Sequence, residues 1–421
     1  MTLYGARPAQ PPARPAPIPT DPTETRRAAL LAAATVVIAL LAATGFLATG
    51  SGGQKPSARW MAAPGTASPV PSPPSPTVAA QTVTLSGVGD VIMGSAPGSL
   101  PPNNGRGLFD PVKRALAADL VMGNLEEPLT ENTGAVKCAQ PSPTSPPPGS
   151  STSPAPSGSP AAHRGCYQFH LPPSYAKVLR DGGFGLVNLA NNHTMDEGSA
   201  GLRNTRAALE AAGIQHTGAP GQVTVVTVRN VSIAVIGVAP YSYCQSLIDI
   251  AGTAALVRRA ASAADLVVIQ MQAGAEGADR THVRPGMETF LGEQRGDVLA
   301  FAHAMIDAGA DLVIGHGPHV MRGMQFYKGR LIAYSMGNFV GYKALNSTGN
   351  SGVGGVVRVT LRKDGTWVSG SLVATHMVNG GLPAPDPNNR AWSLVNGLSR
   401  QDFGASAAVI GSDGSISLPT G

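Results

Sequence analysis

Charge and aromatic rings are both scarce in this 421-residue chain, at 13% and 5% of residues. A core built from it must rest on Val, Ile, Leu and Ala. The formal net charge is only +5. Its Arg and Lys are scattered, with no basic run and no interleaved aromatics, which removes the electrostatic footprint of a nucleic-acid-binding protein. Cysteine is scarcer still, with three in all: Cys138, Cys166 and Cys244. Three tracts, 1–27, 51–80 and 139–165, are rich in Pro, Ser, Thr and Ala and lack the apolar content needed to pack. Without them about 300 residues remain, enough for one large α/β domain or two small ones.

Residues 28–50 form a run of 23 without a charge, long enough to cross a bilayer. Arg7, Arg14, Arg26 and Arg27 precede it, and a Pro/Ser linker follows. The positive-inside rule then puts 1–27 in the cytoplasm and the rest of the chain outside, as a single-pass protein of the cell membrane. A signal peptide cleaved near Ala48 is the rival reading; the long leader favours an uncleaved anchor. No Cys lies near the run, which excludes a lipoprotein anchor. In an oxidising compartment Cys138 and Cys166, which bracket the 139–165 tract, are expected to pair and close a disordered insert at its base. Such a bridge contributes roughly 3 kcal/mol by chain entropy.

Within the foldable part, one local form repeats: a short apolar run followed by a polar turn. The stretch 311–314 reads as a buried strand that breaks at Gly315, with His316 and His319 on the turn beyond. The run 82–88 leads to Asp90, and 120–122 leads to Asn124 and Glu126. The run 185–189 leads to Asn192, His193 and Asp196, 265–271 leads to Gln272, and 331–335 leads to Asn338. Ligands of open α/β sheets bind at strand ends of this kind. Carboxylate, amide and imidazole groups without thiolate suit Mn, Fe or Zn, and a two-metal site there would activate water and clamp a phosphate ester. Helices are expected over 111–118, 172–181, 200–212, 250–264 and 296–308. Hairpins are expected at 223–228/231–238 and 352–362/367–374. Residues from 382 onward read as a surface tail. Strand–helix alternation followed by hairpins argues an α/β or α+β sandwich.

The runs GDVIMG at Gly89, GNLEEPLT at Gly123, NLANNHTMDEG at Asn188, GADLVIGHGPHV at Gly309 and LIAYSMGNFVG at Leu331 resemble the CapA family of poly-γ-glutamate capsule biosynthesis proteins. The resemblance covers about 83–374. It implies a calcineurin-like four-layer α/β/β/α sandwich related to the metallophosphoesterases, here with a C-terminal hairpin and the disordered insert, over a domain at 81–381. It also implies export and a membrane anchor. Carried over by motif, Asp90, Asn124, Glu126, Asn192, His316 and His319 would be metal ligands. His193 would give a proton to a leaving group, and Asp196, Gln272 and Asn338 would support the ligands. The chain departs from the pattern at Ile92, where phosphoesterases place a His. It departs again at Gln272-Ala273-Gly274, where family members often have His-Trp-Gly. One or two divalent ions are therefore expected. The function implied is a cell-surface metal-dependent hydrolase. The alternative is a non-catalytic component that binds an anionic envelope polymer beside other capsule-synthesis membrane proteins.

Overall fold

The computed structural model describes residues 81–419, apart from 132–133, 135–136 and 139–165. The leader, anchor and linker expected over 1–80 and the insert at 139–165 lie outside the described residues. Among the described residues no helix is long and apolar enough to cross a membrane.

The chain begins by alternating strand and helix: β1 (Thr82–Ile92), the single helical turn α1 (Lys113–Leu116), β2 (Leu120–Leu125), α2 (Ala176–Gly182), β3 (Leu186–Asn188), α3 (Gly198–Ala211) and β4 (Gln215–Thr217). The hairpin β5 (Thr224–Val228) and β6 (Val231–Val238) leads through α4 (Ile250–Ala261) to β7 (Leu266–Gln272). A small separate hairpin, β8 (Glu288–Phe290) and β9 (Glu293–Gly296), precedes α5 (Val298–Asp307) and β10 (Leu312–His316). Then come β11 (Met324–Tyr327), β12 (Arg330–Ala333), β13 (Asn338–Gly341) and the long hairpin β14 (Val353–Arg362) and β15 (Trp367–Val378). The chain finishes with β16 (Leu382–Pro385), α6 (Arg390–Phe403), β17 (Val409–Ile410) and β18 (Ser415–Ser417).

These strands make two sheets. One runs β17-β18-β15-β14-β1-β2-β3-β4, with β13 joined to β1 and β16 to β15; the other runs β11-β12-β10-β7-β6-β5. The centre of each is parallel: β1 through β4 in the first, and β6, β7, β10 and β12 in the second. Every residue of β7, LVVIQMQ, is buried. Strands covered on both faces read as unbroken apolar runs, so this part of the pattern was plain in the sequence.

The core has three layers of contact. Leu85, Met122 and Leu186 of the first sheet pack against Val235, Val268 and Ile314 of the second. Helices α4 and α5 cover the second sheet's outer face through Val257, Phe301 and Met305. Leu116, Leu179 and Leu209, from α1 to α3, cover the first sheet's outer face. The order is therefore α/β/β/α. Asp249 caps α4 by accepting from Gly252 N at 2.9 Å, and Asp297 caps α5 by accepting from Ala300 N at 2.9 Å. Each cap is worth about 1 kcal/mol.

Three expectations need correction, and one element was not expected at all. The strand expected at 311–314 does not break at Gly315: β10 carries on through His316, which is buried within it. Asn338 opens a strand, β13, paired in parallel with β1, and is not in a turn. The hairpin β8–β9 was not foreseen, because its polar residues mask the alternation. The segment from 382 is no surface tail: α6 buries Ala391 and Val395 in the core between the sheets, and β17 and β18 extend the first sheet. Polar residues on the outer face of α6 and Pro/Asn-rich turns before it hid that amphipathic pattern.

Candidate functional site

The C-terminal ends of the two parallel blocks meet along one rim, and the polar residues expected there converge. Asp90 is near the end of β1 and Glu126 directly follows β2. Gly89 makes Asp90's placement possible: a Cβ at Gly89 would run into the Gly337 carbonyl, and Asp90 N donates to that carbonyl at 2.9 Å. His319 lies on the turn after β10 with φ 59°, in the left-handed region. A histidine held there carries backbone strain of about 1–3 kcal/mol, typical of functional sites.

Asp90, Glu126 and His319 form a group whose ligand atoms all lie within 4.8 Å of one another. His319 Nδ1 is 3.0 Å from Asp90 Oδ2 and 3.9 Å from Glu126 Oε2. Both carboxylate oxygens are buried, and among the described residues neither has a partner other than the facing His319. Their other oxygens are occupied: Asn124 Nδ2 donates to Asp90 Oδ1 at 2.9 Å, and Gln272 Nε2 donates to Glu126 Oε1 at 2.8 Å. Burial and the nearby Asp90 push the Glu126 carboxyl up to about 8. Burial works against a charge on His319, but Glu126, Asp90 and Glu276 outweigh it and push the imidazole up to about 10. Burial also works against Asp90, but His319 prevails and holds its carboxyl below the usual range. Two buried carboxylate oxygens facing one imidazole fit a divalent cation, which would take the place of the proton that His319 carries.

The remaining candidates fall into distinct places. Asn124 faces Asp90 with its amide nitrogen, and its oxygen accepts from Asn188 and Asn191 at 3.0 and 3.2 Å. Both ends are committed, so it braces Asp90 and is not a ligand in this arrangement. Gln272, the last residue of β7, accepts from Asn124 of β2 at 2.8 Å and donates to Asn192, in the turn after β3, at 3.1 Å. Asn338 Oδ1 is 2.9 Å from His319 Nδ1, and its amide donates to His319 O. His316 is not in the group of three. Its Nε2 is 2.6 Å from Gln270 Oε1, its Nδ1 is buried without a partner, and burial pushes the ring down to about 4.

His193 lines a cavity of about 670 Å³, which His319, Asn192, Glu276, Tyr241 and Phe290 also line. Its Nδ1 is 2.8 Å from Asp196 Oδ2. Burial lowers its pKa, and Asp196 opposes that. Asp196 therefore serves His193 and not a metal-facing histidine. Glu276 was not singled out from the sequence. Its Oε2 is 3.8 Å from His319 Nε2, where it would fix the ring of a metal-bound histidine. The signal for it was faint: one carboxylate four residues past Gln272. Cys138 and Cys166 are bonded, while Cys244 is free and buried, its thiol pushed up to about 12 by burial.

Comparison with known proteins gives the following. Residues 150–343 match the family model of the bacterial capsule synthesis protein PGA_cap. The chain is 27% identical over 316 residues to the PGA biosynthesis protein CapA of Bacillus subtilis, covering 68% of this chain and 69% of that protein. It is 30% identical over 201 residues to the capsule biosynthesis protein CapA of Bacillus anthracis, covering 45% and 47%. A probable polyglutamine synthesis accessory protein of Mycobacterium tuberculosis is 34% identical over 192 residues, covering 42% and 49%. The match therefore spans about half the length of the last two. Among solved structures, a 5'-nucleotidase precursor from Thermus thermophilus aligns over 76% of this chain and 59% of its own, at 12% identity and a TM-score of 0.36.

Proposed function

The chain belongs to the CapA family of bacterial capsule-synthesis proteins, and from that premise we propose that it is a metal-dependent hydrolase of the cell envelope. One observation carries this reading: buried oxygens of Asp90 and Glu126 face His319, and His319 lines a cavity that His193 also lines. Asp90, Glu126 and His319 would hold one divalent ion, with Zn, Mn or Fe suited to the oxygen and nitrogen donors. When bound, such an ion supplies Lewis acidity and a nucleophile at neutral pH.

The chain's own residues do the rest. Gln272 and Asn124 keep Glu126 and Asp90 turned inward. Asp196 holds His193 by Nδ1 and leaves Nε2 free. That nitrogen accepts a proton from the incoming nucleophile and returns it to the leaving group. The substrate is a phosphodiester, a phosphomonoester or an amide-linked polymer of the envelope. The Cys138–Cys166 bond supports an oxidising compartment, in keeping with an anchor at 28–50 and a domain outside the membrane.

A second reading is a polymer-binding component without turnover. It is favoured by Gln272, whose amide occupies the place beside Glu126 and Asn192 where an imidazole would complete a second ion's ligands. Incubating the purified full chain with bis(p-nitrophenyl) phosphate and each of Zn, Mn and Fe separates the two. Metal-dependent release of nitrophenol that disappears in Asp90→Asn supports the hydrolase. Stoichiometric binding of poly-γ-glutamate with no turnover of any ester or amide supports the binder.

A further inference from the structure

We propose that Lys137 and the Cys138–Cys166 disulfide are positioning devices for His193, acting through Asp196. The kinetic consequence rests on the hydrolase reading above; the structural one does not.

The side chain of Asp196 is fully buried, and its partners come from two short pieces of chain. Asp196 Oδ2 accepts from Phe169 N at 2.9 Å and faces His193 Nδ1 at 2.8 Å. Asp196 Oδ1 is paired with Lys137 Nζ at 3.1 Å, and the Asp196 carbonyl accepts from Lys137 N at 2.9 Å. Lys137 Nζ also donates to the carbonyl of Asn192, at 3.0 Å. The ring of Phe169 packs on that of His193, with centroids 4.7 Å apart. Apart from His193, then, the donors on this carboxylate come from Lys137, one residue before Cys138, and Phe169, three after Cys166.

The bridge holds these two pieces together, with Cα atoms 5.9 Å apart across a sequence separation of 28. A further tie runs the same way: Cys138 N donates to Gln168 Oε1 at 3.1 Å, and Gln168 Nε2 donates to Glu197 Oε1 at 2.8 Å. Farther from the bridge the same two stretches are tied again, where Leu171 N donates to the Pro128 carbonyl and Thr130 N donates to the Leu171 carbonyl. Cutting the bond removes the covalent tie nearest to Lys137 and Phe169. Lys137 and Phe169 then cease to act as one clamp. The carboxylate that selects the Nδ1–H form of His193 loses its fixed orientation, and the imidazole loses its fixed tautomer.

The experiment uses the full chain with ¹⁵N-labelled histidine. The His193 signal is assigned by its loss in His193→Gln, and tautomer populations are read from nitrogen shifts. The wild type is expected to show His193 in the Nδ1–H form alone. Lys137→Met and the double variant Cys138→Ser/Cys166→Ser are expected to show both tautomers, and Lys137→Arg one. With bis(p-nitrophenyl) phosphate, Lys137→Met and the double variant should lower kcat about tenfold with KM within about twofold, and Lys137→Arg should recover most of the loss. A single unchanged tautomer in both Lys137→Met and the double variant overturns the proposal. If the wild type turns over no substrate, the hydrolase reading fails, and the tautomer measurement still decides this one.

Discussion

Asp90 Oδ2 lies 3.0 Å from His319 Nδ1, although Asp90 belongs to β1 of one sheet and His319 follows β10 of the other. The pair closes the seam between the two sheets at its polar rim. What brings them together is backbone: Gly89 lets β1 approach the turn before β13, and His319 is held at a positive φ.

Gly89→Ala tests that account of the placement. The added methyl meets the Gly337 carbonyl, so β1 and β13 must part at Asp90. Denaturant unfolding should show a loss of about 1–3 kcal/mol, and metal affinity should fall with it. An alanine variant with undiminished affinity would mean that the close approach does not set the site.

His193→Ala should leave metal content unchanged and suppress turnover. Its nitrogen is committed to Asp196 and lies outside the group formed by Asp90, Glu126 and His319. A loss of about 100-fold or more in kcat is expected for a proton-transfer group. Equal complementation of a deletion strain by wild type and variant would favour the binding component.

Much of this was legible in the sequence where local pattern and tertiary role coincide. The apolar runs of β6 and β7 read as strands, though their parallel pairing did not show, and Asp90, Glu126 and His319 were expected at strand ends. What escaped reading depended on long-range pairing. His316 looked like a turn residue because Gly315 precedes it, yet pairing with β7 carries β10 through it to the register His316–Gln272. Asn124 and Gln272 looked like ligands or their failed replacements. Their roles follow from hydrogen bonds between strand ends far apart in sequence. Helix α6 was hidden because its buried stripe is only Ala391, Val395, Leu398 and Ser399.

That helix yields a pH prediction. Asp386 accepts from Asn388 N at 3.1 Å, from Arg390 N at 3.1 Å and from Arg390 Nε at 2.8 Å. Burial opposes its charge, but these donors prevail and hold its carboxyl below the ordinary value of 3.8. A depressed carboxyl binds fewer protons folded than unfolded, so its contribution is full above the ordinary value and is lost as pH falls. Asp386→Asn should cost about 1–2 kcal/mol at neutral pH, and the difference from wild type should shrink on acidification below the ordinary aspartate range. A gap independent of pH would refute the charge argument.

Helix α6 should also prove essential to the core. Val395 is fully buried between the sheets, and Val395→Ala should cost about 2 kcal/mol in urea unfolding. A change near zero would mean that the segment after 382 is dispensable to the fold.

The topology is open to direct test. Protease added to intact spheroplasts should remove the domain and spare a short leader at 1–27, as the arginines before 28–50 imply. Full protection of the domain would contradict export.

The central claim is the metal centre, and elemental analysis of the purified full chain tests it most directly. Wild type should hold one divalent transition metal per chain through extensive dialysis. Asp90→Asn and Glu126→Gln should hold about tenfold less or none while still unfolding cooperatively. A metal-free wild type that gains no thermal stability from added Zn, Mn or Fe, or equal metal content in all three proteins, would contradict it.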